Sequence, residues 1–303
     1  MDGISALVDG PRAKRAFALK AVFGGTWSIS IEDRAPLTVV VMARGRAVFT
    51  GQRGPLEVGV GDVVLIRGPA PYSFADGADT PTEIRILPGQ VCVDPHGRII
   101  AEQMALGVRT WGNTRSENAT VMLIGTYQQE TSVGSLLLSR LPSELVIRDL
   151  EPALIELFTA EIVADQPGQT AVIDRLIDLV VLRCVRTVLR RPSEESDDPL
   201  VGRALRAMEE HHEQPWTVES LATHVGLSRA ALARRFVRQV GEPPLTYLTR
   251  WRLALAADLL AGTDQTLAAI AAKVGYANAF ALSTAFKRVH GESPRDYRNR
   301  LVA

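Results

Sequence analysis

The C-terminal third of the chain contains one sequence pattern twice. Four positions recur after 49 residues, namely Leu221 and Ile270, Ala222 and Ala271, Val225 and Val274, and Gly226 and Gly275. Four more recur after 50 residues, namely Phe236 and Phe286, Gly241 and Gly291, Pro244 and Pro294, and Tyr247 and Tyr297. Because eight positions match across two segments, we expect this third to be built from two similar units.

Each copy has the pattern of two short helices joined by a tight turn. The first three repeated positions lie at i, i+1 and i+4, which places them on one face of a helix. Gly226 can end that helix in the left-handed conformation, and Ser228 can cap a second helix from Arg229 to Gln239. The second copy predicts helices over Leu267 to Lys273 and about Asn278 to Val289. The chain therefore predicts two helix-turn-helix motifs.

A longer signature surrounds the second copy: Gly275-Tyr276, Phe286-Lys287-Arg288, Gly291, Ser293-Pro294 and Tyr297-Arg298. Together with Pro244 to Leu253, which lies between the copies, these residues resemble the AraC/XylS family of bacterial transcription regulators. The resemblance covers roughly residues 199 to 300. It implies that this part binds double-stranded DNA and, if the regulator is an activator, that it also contacts RNA polymerase.

The second helix of each copy is expected to enter a major groove. If Leu232 and Phe236 face the core, the outward residues of the first such helix are Arg229, Ala230, Ala233, Arg234 and Arg238. Those of the second are Asn278, Ala279, Ser283, Thr284, Lys287 and Arg288. Arg234 is expected to read guanine through two hydrogen bonds, and Arg238 to meet phosphate. The family often has Arg at the position of Thr284. The first recognition helix should therefore contribute more than the second to discrimination between DNA sequences.

A connecting helix from Leu245 to Ala261 is expected to hold the two recognition helices at a fixed span, with Trp251 packing against both halves. Successive major grooves on one face of DNA lie roughly 34 Å apart, so both helices can enter them at once. Residues 200 to 303 contain 14 Lys and Arg against 9 Asp and Glu, in a chain whose formal net charge is zero. Positive charge is expected on the part that meets phosphate.

The N-terminal half consists of short β-branched runs separated by glycine and proline. Between Ala21 and Gly89, the Gly61-Asp62 turn precedes a buried run from Val63 to Ile66, and Pro69 follows it. This pattern predicts an antiparallel barrel or jelly roll, with Ser135 to Leu141 as a further strand. The turn and its exit resemble the cupin sensor of some AraC-type regulators. The predicted class is α+β, with a cupin-like antiparallel β-barrel and helical dimerisation segment before an all-α domain.

The cupin resemblance does not extend to the metal ligands of a cupin enzyme. Such a site needs two or three histidines and a carboxylate, whereas Thr38 and Tyr72 stand about where histidines are expected and His96 lies in a loop. The sequence therefore predicts a non-enzymatic protein without metal or cofactor. A small effector would instead bind in the barrel mouth, where the candidate lining residues are Trp27, Arg67, Tyr72, Phe74 and Trp111. The alternative is that these side chains are ordinary core.

A long helix is predicted from Thr170 to Leu189, with a wide apolar stripe. One side of the stripe can pack on the barrel and the other on a second subunit, which favours a homodimer. The alternative is a helix used entirely by its own core. The charged segment around residues 192 to 199 is predicted as a linker. The expected divisions are therefore residues 1 to 165, 166 to 191, 192 to 199 and 200 to 303.

Three further observations bear on compartment and regulation. The chain has no apolar run of about 18 residues, no leader at its start and only two cysteines, which favours a cytoplasmic protein with no membrane partner. Cys184 lies on the apolar stripe and is expected to be inert, while Cys92 leaves open a redox-sensing regulator. The sequence also leaves open a cupin enzyme fused to a DNA-binding module, and a regulator controlled by protein contacts alone.

Overall fold

The computed structural model describes residues 17–127, 132–138, 142–190 and 198–302. These residues form two compact units. The sheet unit contains residues 17–127 and 142–188, and the helical unit contains residues 132–138, 189–190 and 198–302. Most of the predicted linker lies outside the described residues. Among the described helices, none is long and apolar enough to cross a membrane.

The first part of the chain is mostly strand. Its elements are β1 (Phe17–Phe23), β2 (Ser28–Ile31), β3 (Leu37–Arg44), β4 (Arg46–Gly51), β5 (Gly54–Gly59), β6 (Val63–Arg67), β7 (Tyr72–Ala75), β8 (Ile84–Leu87), β9 (Val91–Val93), β10 (Ala105–Gly107), β11 (Thr110–Gly112), β12 (Thr120–Tyr127), α1 (Ser132–Leu138), β13 (Glu144–Ile147), α2 (Pro152–Glu161) and α3 (Gln169–Arg190). The rest is helical, with α4 (Pro199–Glu210), α5 (Val218–Val225), α6 (Arg229–Val240), α7 (Pro244–Gly262), α8 (Leu267–Lys273), α9 (Ala279–His290) and α10 (Pro294–Val302).

The strands form two sheets with a common core. The seven-stranded sheet has the order β10-β11-β1-β12-β3-β6-β13, and the six-stranded sheet has the order β5-β4-β7-β2-β8-β9. Alternating residues such as Val40 and Met42 of β3 face Ile29 and Phe74 of the other sheet within one apolar cluster. The predicted α+β class is confirmed, but the sheets do not close into one ring. Two pairings, β1 with β11 and β2 with β8, are parallel rather than antiparallel.

Helix α2 and residues 169–188 of α3 belong to the sheet unit, and α3 packs on β12. A Cβ atom at Gly125 of β12 would lie 2.9 Å from the side chain of Ile177, so the absence of a side chain there lets α3 approach closely. The apolar stripe predicted for this helix is buried within the chain at Ile173, Leu176, Ile177, Val180, Val181, Cys184 and Val185. Exposed apolar side chains remain at Val172 and Leu179.

The helical unit has two small cores on one long helix, α7. The first core joins α4, α5 and α6 to the N-terminal part of α7 and contains Phe236 and Trp251. The second joins α8 and α9 to the C-terminal part and contains Phe286. Trp251 lies in the first core alone, so the expectation that it contacts both halves was wrong; Leu255 packs against both. The 19 residues of α7 span about 28 Å at 1.5 Å per residue.

One segment that was predicted as a strand is helical. Residues 135 to 138 lie in α1, which follows β12 and precedes β13 in the chain but belongs to the helical unit. Val133 and Leu136 are buried in the first core of that unit, on α7. The apolar residues of this segment therefore form the buried face of a helix and do not belong to a strand of the sheet.

Candidate nucleic-acid interface and sensor cavity

Helix α6 has the features of a recognition helix. The hydroxyl of Ser228 accepts the backbone N–H of Ala231 at 3.3 Å, and Gly226 adopts the left-handed conformation, with φ of 77°, in the turn before it. Leu232 and Phe236 are fully buried, as the repeat predicted. On the opposite face, Arg229, Ala230, Arg234 and Arg238 are exposed, and Ala233 is half-buried.

The arginines of α6 differ in their surroundings. Arg229 pairs with Glu219 at 2.8 Å, and Arg235 pairs with Asp198 at 3.2 Å. Within the described part of the chain, Arg234 and Arg238 make no ion pair. These two guanidinium groups can therefore bind phosphate or a base edge without first breaking an internal salt bridge.

Helix α9 repeats this arrangement with a different surface. The side chain of Asn278 accepts the backbone N–H of Ala281 at 2.9 Å, so its oxygen is occupied in capping the helix. Leu282 and Phe286 are fully buried. The remaining predicted residues lie on the accessible side, where Thr284, Lys287 and Arg288 are exposed and Ala279 and Ser283 are half-buried.

Phe280 on α9 was not among the predicted interface residues. Its side chain is 81% exposed, more than any other large hydrophobic residue of the described chain. It lies in the first turn of α9, on the side opposite the core. The helical spacing could have revealed it, because Phe280 is two residues before the inward Leu282. Because Phe280 lies on the same helix as the predicted interface residues and its ring is accessible, it is a further candidate for contact with DNA.

The connecting helix is positioned by its own arginines. Arg252 donates to the carbonyl oxygens of His212 at 2.6 Å and Gln214 at 2.7 Å, while Arg250 pairs with Glu242 at 2.7 Å. A Cβ atom at Gly275, where φ is 83°, would lie 2.8 Å from the Cα of Glu213. The glycine of the second turn is therefore required both by its conformation and by close packing.

An apolar cavity lies within the sheet unit. It has a volume of about 40 Å³, and strands from both sheets line it. Its polar groups are few: Asp33 accepts a 2.8 Å hydrogen bond from Gln90, and Tyr72 bonds to Thr38. Burial raises the pKa of the Tyr72 phenol well above its ordinary value of 10, so the phenol is neutral.

The predicted ligand residues fall into two groups. Tyr72, Phe74 and Trp111 line the cavity. Trp27 is 2% exposed and stacks on Phe23 in the core, with ring centroids 4.9 Å apart, and Arg67 is not among the lining residues. Sequence reasoning missed the contributions of β1 and β12, whose alternating residues face the cavity and are apolar except for Thr126: Phe17, Leu19, Ala21, Met122, Ile124 and Thr126.

The two cysteines are in apolar surroundings. Burial raises the pKa of the half-buried Cys92 thiol, and it raises the pKa of Cys184 to about 12. Both shifts disfavour the reactive thiolate at neutral pH. Among the described residues, no group of three His, Cys, Asp or Glu side chains is arranged to hold a metal ion.

Two facing sheets followed by two helix-turn-helix motifs on one connecting helix define a protein with a sensor-type domain and a DNA-binding domain. The cupin family model matches residues 2–190, and a helix-turn-helix domain model matches residues 221–300. The chain belongs to the AraC-like family of DNA-binding transcription regulators, with a cupin-type N-terminal domain.

Similar proteins span the whole chain. A putative AraC-like transcription regulator of Streptomyces lividans is 30% identical, over 98% of each chain. The HTH-type transcriptional regulator AlkR of Acinetobacter baylyi is 29% identical, over 98% of this chain and 99% of its own. Among solved structures, the DNA-binding domain of AdpA in complex with a target DNA is 36% identical, covering 34% of this chain and 93% of that chain, with a TM-score of 0.32.

Proposed function

We propose that this regulator reads two successive major grooves with α6 and α9 and responds to a small, mainly apolar effector in the sheet unit. The observation that carries the DNA-reading part is the duplication itself. Each copy presents a capped helix with a buried Leu and Phe and an accessible opposite face, and both copies are built on α7. A helix of about 28 Å is a suitable spacer for grooves roughly 34 Å apart.

The accessible side chains suggest different roles for the two helices. Arg234 reads guanine, whose O6 and N7 accept both bonds from one guanidinium, and Arg238 binds phosphate. On α9, Lys287 and Arg288 bind the backbone, and Phe280 makes an apolar contact with a thymine methyl group. Asn278 caps its own helix and therefore has less capacity to read a base than its exposed position predicts.

Selection of duplexes from random DNA, followed by footprinting, tests the reading of two grooves. The expected result is one enriched sequence with two protected patches about one helical turn apart. If the wild-type protein and the variant Arg234→Ala both protect the same single patch of DNA, the result would contradict a role for α6 in DNA reading. The matched variant Arg203→Ala removes an arginine from α4, outside both recognition helices, and should leave the footprint intact.

The effector part of the proposal rests on the cavity lining. Three predicted aromatic residues line it, and its polar groups are the side chains of Asp33 and Gln90, the Tyr72 phenol and the Thr126 hydroxyl. A cavity of about 40 Å³ is smaller than a typical ligand site of roughly 300 Å³ or more, so an effector must move the lining strands to enter. Binding would then be linked to a change of the sheets, as a switch requires.

A thermal-shift screen of small apolar compounds tests the effector site. A compound that raises the melting temperature of the wild-type protein should have no effect on the variant Ile86→Trp, whose added ring occupies the cavity. Equal shifts in both proteins would place the binding elsewhere.

The redox alternative has its own test. If oxidation of Cys92 regulates the protein, oxidant should change the DNA affinity of the wild type, and Cys92→Ser should abolish that change.

We infer that the protein is a homodimer in the cytoplasm and that it acts by binding DNA and not as a catalyst. The apolar residues Leu157 of α2 and Val172 and Leu179 of α3 are 53%, 43% and 43% exposed, and the last two are seven residues apart on one helix face. A second copy of this surface would cover them. Sedimentation at micromolar concentration should give about twice the 32.9 kDa chain mass, and Leu179→Glu should give the monomer. As an activator, the dimer would in addition contact RNA polymerase.

A further inference from the structure

Helix α1 belongs by chain position to one unit and by contacts to the other. Its chain neighbours β12 and β13 are both strands of the seven-stranded sheet, and only residues 128–131 separate it from β12. Met122, Ile124 and Thr126 of β12 line the sensor cavity. Yet α1 itself packs in the helical unit, on the connecting helix α7.

The contact between α1 and α7 is centred on a buried carboxylate. One oxygen of Asp258 accepts the backbone N–H of Ser132 at 2.7 Å, and the other accepts the backbone N–H of Val133 at 3.0 Å. Asp258 is only 6% exposed. Val133 and Leu136, which are 1% and 8% exposed, complete the contact within the first helical core.

A charged group makes this contact easier to break than an apolar one of the same size. Burial raises the pKa of Asp258, and the hydrogen bonds from the two backbone N–H groups and the Ser132 hydroxyl only partly compensate. If α1 leaves, the carboxylate regains water, which offsets part of the lost hydrogen bonding and apolar burial. The docked and undocked arrangements are therefore closer in free energy than an all-apolar contact would allow, which is the property of a switch element.

We propose that α1 is a coupling helix whose docking on Asp258 carries the state of the sensor cavity to the DNA-reading unit. The proposal rests on the proposed function and adds its route of regulation. An effector that enters the small cavity displaces side chains of β12, and β12 is continuous in the chain with α1. Because α7 carries both helical cores, loss of α1 from its surface changes the presentation of α6 and α9.

Two substitutions in the full chain weaken the contact from opposite sides. Asp258→Asn keeps the shape of the side chain but replaces one acceptor oxygen by an NH2 group, so one buried N–H of α1 loses its acceptor. Ser132→Pro removes two donors to Asp258, the backbone N–H and the side-chain hydroxyl of residue 132, at the first position of α1, where proline is tolerated in helices. Asp264→Asn is the matched control, since it removes the same charge from an exposed residue just beyond α7.

Two quantities are measured. They are the rate of hydrogen exchange of residues 132–138 and the affinity for a DNA duplex selected by the wild-type protein. Both variants should exchange at least about 10-fold faster in this segment and should change the dissociation constant at least about 3-fold in the same direction. The double variant should change it no more than the stronger single variant, as residues of one contact are non-additive. Asp264→Asn should match the wild type in both readouts.

The outcomes separate failure of the coupling from failure of the proposed function. Unchanged exchange in both variants would show that the contact does not form in solution. Faster exchange with unchanged DNA affinity would show that α1 stabilises the fold without affecting DNA binding. Either result would overturn the coupling. If the wild-type protein selects no duplex at all, the DNA-reading proposal itself fails. Circular dichroism spectra matching the wild type confirm that the variants are folded.

The sensor end has a separate test. Ile86→Trp crowds the cavity from β8, a strand of the six-stranded sheet that is not adjacent to α1 in the chain. If cavity occupancy acts on α1, exchange of residues 132–138 should change at least about 3-fold in this variant. Unchanged exchange would overturn the link between cavity and helix, even if Asp258→Asn alters DNA affinity.

Discussion

The hydroxyl of Tyr247 donates a 2.7 Å hydrogen bond to the carboxylate of Glu209 inside the first helical core. Tyr247 is fully buried and Glu209 is 7% exposed. The second copy has Tyr297 at the equivalent position, where it packs edge-on against Phe286 and lies under the guanidinium of Arg300. The duplication has therefore retained the ring in both copies, while the carboxylate partner belongs to the first.

This difference predicts unequal effects of the same substitution. Tyr247→Phe should lower the free energy of unfolding by about 1–3 kcal/mol, because a buried charged acceptor loses a donor. Tyr297→Phe, the matched control, changes a half-buried residue and should cost less than about 0.5 kcal/mol. Chemical denaturation of both variants measures the difference. Equal losses would show that Glu209 does not depend on the Tyr247 hydroxyl.

Arg234 should determine one base pair of the binding site. Arg234→Ala is expected to cost about 1–3 kcal/mol on the selected duplex and to relax the preference for guanine at one position. Competition binding against duplexes changed at single positions measures both effects. A loss of equal size on selected and random DNA would assign Arg234 to the backbone instead.

Arg238 should behave in the opposite way. Arg238→Ala is expected to weaken binding about equally on selected and random duplexes, and to lower the slope of log affinity against log salt by about 1. Titrations at several salt concentrations measure the slope. A change in base preference with an unaltered slope would contradict this assignment.

Phe280 should respond to the removal of a single methyl group from the DNA. Replacing each thymine by uracil in turn should weaken wild-type binding by about 0.8 kcal/mol at one position, the value of one buried carbon. In Phe280→Ala the same replacement should have no effect. Val289→Ala is the control, because Val289 is a 52% exposed apolar residue at the other end of α9. If every thymine responds alike in wild type and Phe280→Ala, the ring does not contact a thymine methyl.

His290 should make the second helical core sensitive to acid. It stacks on Phe286, with ring centroids 4.1 Å apart, and burial lowers the pKa of its imidazole below the ordinary 6.5. The unfolded chain then binds a proton more readily, so the stability that His290 contributes is full above pH 6.5 and is lost as pH falls through its folded pKa. Unfolding curves at pH 7.5 and 5.5 should differ more for the wild type than for His290→Gln. An equal pH dependence in the two proteins would rule out His290 as the origin.

The helix-turn-helix motifs follow from short-range signals in the chain. Ser228 and Asn278 cap helices that begin one residue later, and Gly226 takes the left-handed conformation that its turn needs. The buried pairs Leu232 with Phe236 and Leu282 with Phe286 follow from a spacing of four residues. These features depend on neighbours within a few positions, which is why the sequence alone predicted them.

Long-range packing decided the rest. Ser132 and Asp258 lie 126 positions apart, and no local signal distinguishes a strand from a helix in the apolar segment between β12 and β13. Similarly, Trp27 and Tyr72 are both aromatic residues of the N-terminal half, but only the register of the sheets makes one core and the other cavity wall. Side-chain environment depends on which distant elements pack together, and that information appears only once the chain is folded.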